Sequence, residues 1–182
     1  MTSASAAASK IRIIISDVDG VWTDGRIIYL GDTREIKQFH VRDGLAVKLA
    51  QRGGIDVAVI TSRTSKALER RCRELGITHL AQGAGSKLDE MQRLLRNLNL
   101  PADRACYIGD DLPDLAPIRV AGLSAAPSDA APEVLAAVTW KLATPGGAGT
   151  IRELVERLLR ERGEWDTVVQ GFDRGAFETP AT

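Results

Sequence analysis

Short runs of β-forming apolar residues alternate along the chain with longer segments whose apolar residues recur at helical spacing, and few folds accept that pattern. The runs IRIIIS, DVAVIT, ITHLAQ, ACYIG and GLSAA read as strands. Residues 11–15 and 57–60 are almost continuously apolar, as strands are when helices cover both faces of a parallel sheet. The expected fold class is therefore α/β, a three-layer doubly wound parallel sheet. Helix starts are predicted at Asp43, Ser65, Ser86 and Asp111, the last with Pro113 close behind. After Ser65 the positions Leu68, Cys72 and Leu75 share a helical face, which makes Cys72 a packing residue rather than a reactive one.

One stretch breaks the alternation. Between Asp24 and Asp43, RIIYLGDTREIKQF reads as two short strands around Gly31 and Asp32, a β-hairpin insertion too small to be a domain. The chain is thus divided into a flexible N-terminal tail (1–10), one domain (11–160) carrying a hairpin flap (24–43), and a C-terminal tail (161–182) with isolated Trp165, Phe172 and Phe177. That last tail is either disordered or docked elsewhere.

Charge excludes several functions. Twenty-four Lys plus Arg balance 24 Asp plus Glu in 182 residues, so no global field draws nucleic acid or an anionic membrane. No stretch approaches the roughly 18 apolar residues of a spanning helix. Cys72 and Cys106 are too few for a disulfide framework, and the opening MTSASAAAS lacks the basic start of a secretory leader, so a cytoplasmic location is expected.

In open parallel sheets ligands bind beyond the carboxyl ends of the strands. Asp17 and Asp19 follow the first strand here, Thr61 and Arg63 the second, and Asp110, Asp111 and Asp114 follow ACYIG. Five carboxylates so placed repel one another unless a cation intervenes. Every candidate ligand is an oxygen and neither His lies in these segments, which favours Mg²⁺ over Ca²⁺ or Zn²⁺. An ionised Asp17 could attack phosphorus, and Asp19, two residues on, could protonate the departing alcohol and then deprotonate water. Gly20 lets the loop turn sharply and offer amides to phosphate. Lys87 begins a helix, where the macrodipole disfavours a cation, so it is expected to serve the phosphate instead.

The order DxDG, Thr61, Lys87, GDDxxD resembles the haloacid dehalogenase superfamily of aspartate-nucleophile phosphatases. DVDGVWTDG, FHVRDG, VITSR, RCRELGITHLAQG, YIGDDLPDL, GLSAAPSDAAPEV and GGAGTIRE further resemble its 3-deoxy-D-manno-octulosonate 8-phosphate phosphatase family. The likeness implies Mg²⁺ held by the carboxylates of Asp17 and Asp110 and the backbone carbonyl of Asp19, with Asp111 or Asp114 supporting. It also implies that Thr61 and Lys87 grip the phosphate, while Gly20, His40, Arg42, Asp43, Gly44, Arg63 and Arg71 meet a small phosphorylated sugar acid. The family has no large cap domain; a homotetramer is implied, in which the hairpin and a neighbour's C-terminal tail close the site.

Ser62, Trp22, His40 and Ala148 depart from the family pattern without touching the acidic set. They leave open a nine-carbon, neuraminate-type 9-phosphate as substrate. A non-catalytic oligomeric scaffold is the other alternative. A receiver domain shares Asp, Thr, Lys and Mg²⁺ but places the acidic pair and the acceptor in a different chain order.

Overall fold

The structure, a computed structural model, describes residues 3–31 and 34–173. Its strands are β1 (Ile13–Ser16), β2 (Ile28–Leu30), β3 (Arg34–Ile36), β4 (Asp56–Ile60), β5 (His79–Ala81), β6 (Ala105–Ile108), β7 (Leu123–Ala126) and β8 (Trp140–Lys141). Its helices are α1 (Ser3–Ala8), α2 (Val41–Arg52), α3 (Lys66–Leu75), α4 (Lys87–Asn97), α5 (Leu115–Val120), α6 (Pro132–Ala137), α7 (Thr150–Glu161) and α8 (Trp165–Asp173). Six strands form one parallel sheet in the order β5-β4-β1-β6-β7-β8, while β2 and β3 form a separate antiparallel hairpin.

The doubly wound sheet is the one the alternation predicts. Because successive strand residues point to opposite faces, Ile13 and Ile15 pack with Met91, Leu95 and Ile118 on one side of β1, and Ile14 packs with Val47, Leu154 and Leu158 on the other. Both faces are covered, which is why Ile13, Ile14 and Ile15 are all apolar. The two-residue β8 is the strand that periodicity cannot reveal, since WK is too short to show any pattern.

Topology places the site. From β1 the chain builds β4 and β5 on one side, then crosses back to β6 and continues to β7 and β8 on the other, so a crevice opens where the winding reverses. Ser16 is in register with Val59 of β4 and Ile108 of β6, so the residues that follow all three strands leave the sheet at one edge.

Three local expectations are corrected. The N-terminal segment is not wholly loose: residues 3–8 form α1, and the buried Ala8 joins the core cluster. The C-terminal aromatics are not isolated: in α8, Trp165, Val168 and Phe172 recur at helical spacing and pack against that core, with Arg152 and Arg160 over the Trp165 ring at 5.2 and 4.9 Å. Asp32, Phe177 and the rest of 174–182 lie outside the described residues. Finally, α2 starts at Val41, two residues before Asp43, because His40 Nδ1 accepts from the Arg42 N–H and does the work of a cap.

Asp43 is buried within the first turn of α2, and its Oδ1 accepts the backbone N–H of Arg152 at 2.8 Å, tying α2 to the start of α7. Burial holds its carboxyl above the ordinary aspartate range. A raised folded value means that ionised Asp43 costs stability, which is lost as pH rises through the usual range. Asp43→Ala, which removes the acceptor, should destabilise by about 1 kcal/mol. Asp43→Asn keeps an acceptor without the charge, so it should gain on the wild type between pH 3.5 and pH 7. Urea unfolding at both pH values checks the sign.

Candidate active site

The cleft occupies about 340 Å³ and is lined by Asp17, Asp19, Thr61, Arg63, Lys87, Asp110, Asp111 and Asp114 among others. Asp17 leaves β1 with its N–H bonded to the Ile108 carbonyl, Thr61 follows β4 with its N–H on the Ala81 carbonyl, and Lys87 opens α4. Lys87 points back from that helix and sets its ammonium 2.9 Å from Asp17 Oδ1 and 2.7 Å from Asp114 Oδ1. Burial alone would lower the lysine, but these two carboxylates hold it above its ordinary value. The ammonium therefore stays charged in a place where a lone cation would not.

Asp114 is fully buried and saturated. Its Oδ1 also accepts from the Tyr107 hydroxyl at 2.7 Å, and its Oδ2 accepts from the backbone N–H groups of Asp110 and Asp111 at 3.2 and 3.4 Å. It organises the loop after β6 and supports its neighbours. Asp111 caps the short turn 112–114, accepting from the Leu112 N–H at 2.8 Å.

Asp17, Asp110 and Asp114 each offer an oxygen within 4.8 Å of the others. Burial, with the Asp114 charge beside it, pushes Asp17 up to about 6, and burial with the Asp17 and Asp114 charges pushes Asp110 up to about 8. Lys87 offsets only part of that repulsion. A donor set of oxygens that resists full ionisation suits a hard divalent cation, with Asp17 and Asp110 free to hold it because Asp114 is already spent. Gly20 (φ +91°) lies so close to Asp110 that a Cβ there would collide with the carboxylate. Gly146 in turn packs on the Gly20 carbonyl, so the GGAG loop buttresses the DVDG loop from behind.

Among the residues expected at the substrate, Arg63 is brought to the cleft, and Gly20 lies against Asp110 at its base. The remainder are placed elsewhere. His40 caps α2, Asp43 ties α2 to α7, and Gly44 packs against the Arg71 guanidinium, whose partner is Glu74 at 3.4 Å. Arg42 lines a separate cavity beside α7 with Ala148 and Gly149. In the first turn of α2, Asp43 is engaged by α7 and Gly44 by Arg71 of α3.

Sequence reasoning missed Tyr107, Lys37 and Glu35. Tyr107 sits inside an apolar strand, and a buried phenol needs a partner, which is the signal that could have found it. Lys37 and Glu35 read as ordinary hairpin charges, yet Lys37 reaches Asp19 and Glu35 reaches Arg63.

The chain is similar to proteins of known family. A sequence model described as haloacid dehalogenase-like hydrolase matches residues 29–122. The 3-deoxy-D-manno-octulosonate 8-phosphate phosphatase of Escherichia coli K12 is 42% identical over 162 residues, 88% of this chain and 86% of that one. A crystal structure of the same enzyme from Moraxella catarrhalis, in complex with magnesium, phosphate and KDO, is 35% identical and superposes with a TM-score of 0.92 over 94% of this chain and 99% of that one. The cobalt-bound form from Haemophilus influenzae is 38% identical, with a TM-score of 0.87 over 91% and 98%.

If close packing of Gly20 on Asp110 sets the cleft, Gly20→Ala should lower phosphate-ester turnover by about 10²-fold, the scale expected when reacting groups are misplaced by an ångström. Circular dichroism should stay close to wild type. Wild-type turnover in this variant would contradict the packing argument.

Proposed function

The chain belongs to the haloacid dehalogenase-like hydrolases and, within them, to the 3-deoxy-D-manno-octulosonate 8-phosphate phosphatases, and from that premise we propose how its cleft acts. The substrate is the 8-phosphate of 3-deoxy-D-manno-octulosonate, and the reaction is Mg²⁺-dependent hydrolysis through an aspartyl phosphate on Asp17. The carrying observation is the pairing of Lys87 with Asp17, whose carboxylate lies beside that of Asp110. The relatives compared above are named for the eight-carbon acid, which favours it over a nine-carbon one.

Asp17 and Asp110 would hold the ion with the Asp19 carbonyl. When bound, Mg²⁺ neutralises carboxylate and phosphate charge and so lets an anionic nucleophile approach an anionic ester. Lys87 and the Thr61 hydroxyl bind phosphate oxygens, and the ammonium keeps Asp17 ionised. Asp17 forms the new O–P bond as the ester O–P bond breaks, and Asp19 delivers a proton to the departing sugar oxygen. Asp19 then takes a proton from water, which attacks phosphorus, frees the Asp17 carboxylate and yields inorganic phosphate.

The hairpin presents Ile27, Ile28, Leu30 and Ile36 partly exposed and Tyr29 72% exposed, an apolar surface that supports assembly into the homotetramer. Closure of the cleft by neighbouring chains belongs to the same proposal. No helix among the described residues is long and apolar enough to cross a membrane.

Asp17→Asn should reduce turnover of the sugar-acid phosphate by at least about 10³-fold, the scale of removing a nucleophile. Excess EDTA should abolish wild-type activity and added Mg²⁺ restore it. Retained turnover in either case rejects the mechanism. Ile28→Asp should shift the sedimentation coefficient from tetramer toward smaller species, whereas a monomeric wild type would reject the assembly.

A further inference from the structure

Among the described residues the hairpin meets the cleft through a closed ring of four charges. Lys37 follows β3, its side chain is only 3% exposed, and its ammonium contacts Asp19 Oδ1 and, at 3.2 Å, Glu35 Oε1. Glu35 Oε2 accepts from the Arg63 guanidinium, and Arg63 Nε lies 3.8 Å from Asp19 Oδ2. Charges alternate around the ring and sum to zero. It joins the loop after β1, the hairpin and the loop after β4.

A lysine this deeply covered persists only where its partners repay desolvation, and removing one partner of such a pair is strongly unfavourable. Lys37 is too covered to serve solvent, and its first partner is the carboxyl assigned to proton transfer. The two oxygens of that carboxyl are unequal. Oδ1 is held by the ammonium, whereas among the described residues the buried Oδ2 has no hydrogen-bond partner, and 3.8 Å to Arg63 Nε is beyond hydrogen-bond reach.

We propose that Lys37 is a positioning residue for the acid–base carboxyl, fixing Asp19 Oδ1 so that the proton is given and taken at Oδ2, with Glu35 holding Lys37 in place. The inference rests on the reading of Asp19 as proton donor. In the first step the O–H bond at Oδ2 breaks as the proton passes to the ester oxygen leaving phosphorus. In the second, Oδ2 takes a proton from the attacking water. The hairpin therefore supplies a part of the proton-transfer apparatus as well as a surface.

The test exploits leaving groups. A sugar alkoxide needs a proton as it departs, whereas p-nitrophenolate leaves readily without one. Single-turnover release is measured for the sugar-acid 8-phosphate and for p-nitrophenyl phosphate, with the full-length protein in excess and saturating Mg²⁺. Lys37→Met should slow the sugar ester by about 10²-fold, the lower end of general acid catalysis, and at least ten times more than the aryl ester. Lys37→Arg should recover most of that difference, since it restores a cation beside Oδ1. The aryl rate of each variant reports its own folding and phosphate binding. Equal slowing of both esters, or of neither, overturns the proposal. Asp19→Asn in parallel separates the two levels: if it fails to discriminate between the esters, the proton-donor reading itself falls, and if it discriminates while Lys37→Met does not, only the role of Lys37 falls.

Discussion

The Lys87 ammonium, set between Asp17 and Asp114 at 2.9 and 2.7 Å, is the contact on which the rest of the cleft depends. Burying carboxylates together is costly, and here the cost is met by one buried cation and by hydrogen bonds that saturate Asp114. Asp114 thereby becomes fixed structure, the loop after β6 is shaped by its own backbone amides, and Asp110 is left facing Asp17. Burial, with the remaining repulsion, keeps Asp17 and Asp110 above the ordinary aspartate range. A residual excess of negative charge in an oxygen-lined cleft is what a divalent cation relieves.

Two glycine-rich loops set how closely these groups approach. Gly20 admits the Asp110 carboxylate where any side chain would exclude it, and Gly146 packs on the Gly20 carbonyl from the other side. The DVDG and GGAG segments, far apart in sequence, act as one rigid wall. The hairpin acts differently. It meets the cleft through charged contacts, so its position depends on the ring of Asp19, Lys37, Glu35 and Arg63 as well as on whatever covers its apolar residues.

Much of this was legible before any coordinates. The apolar strands report a sheet covered on both faces because side-chain alternation forces it, and the acidic residues just after them report the carboxyl edge. Lys87 at a helix start was a signal because its charge opposes the helix dipole, and the structure turns it toward Asp17. What misled was local chemistry read without its neighbours. Asp43 looks like a helix cap or a ligand, but His40 supplies the cap and Asp43 binds the backbone of Arg152, 109 residues away. Arg71, expected at the substrate, is instead packed beside Gly44.

The sequence by itself determined the α/β class, the order of the strands along the chain, and which residue types stand at the strand ends, because periodicity and strand-end chemistry are local properties. Only the tertiary structure decided which of those residues meet. Saturation of Asp114 by Tyr107 and two amides, the burial of Lys37 against Asp19, and the turning of Arg42 and Asp43 away from the cleft all depend on distances between segments that are remote in the chain. Electrostatic partnership falls off over a few ångströms, and no pattern along one chain specifies separations on that scale.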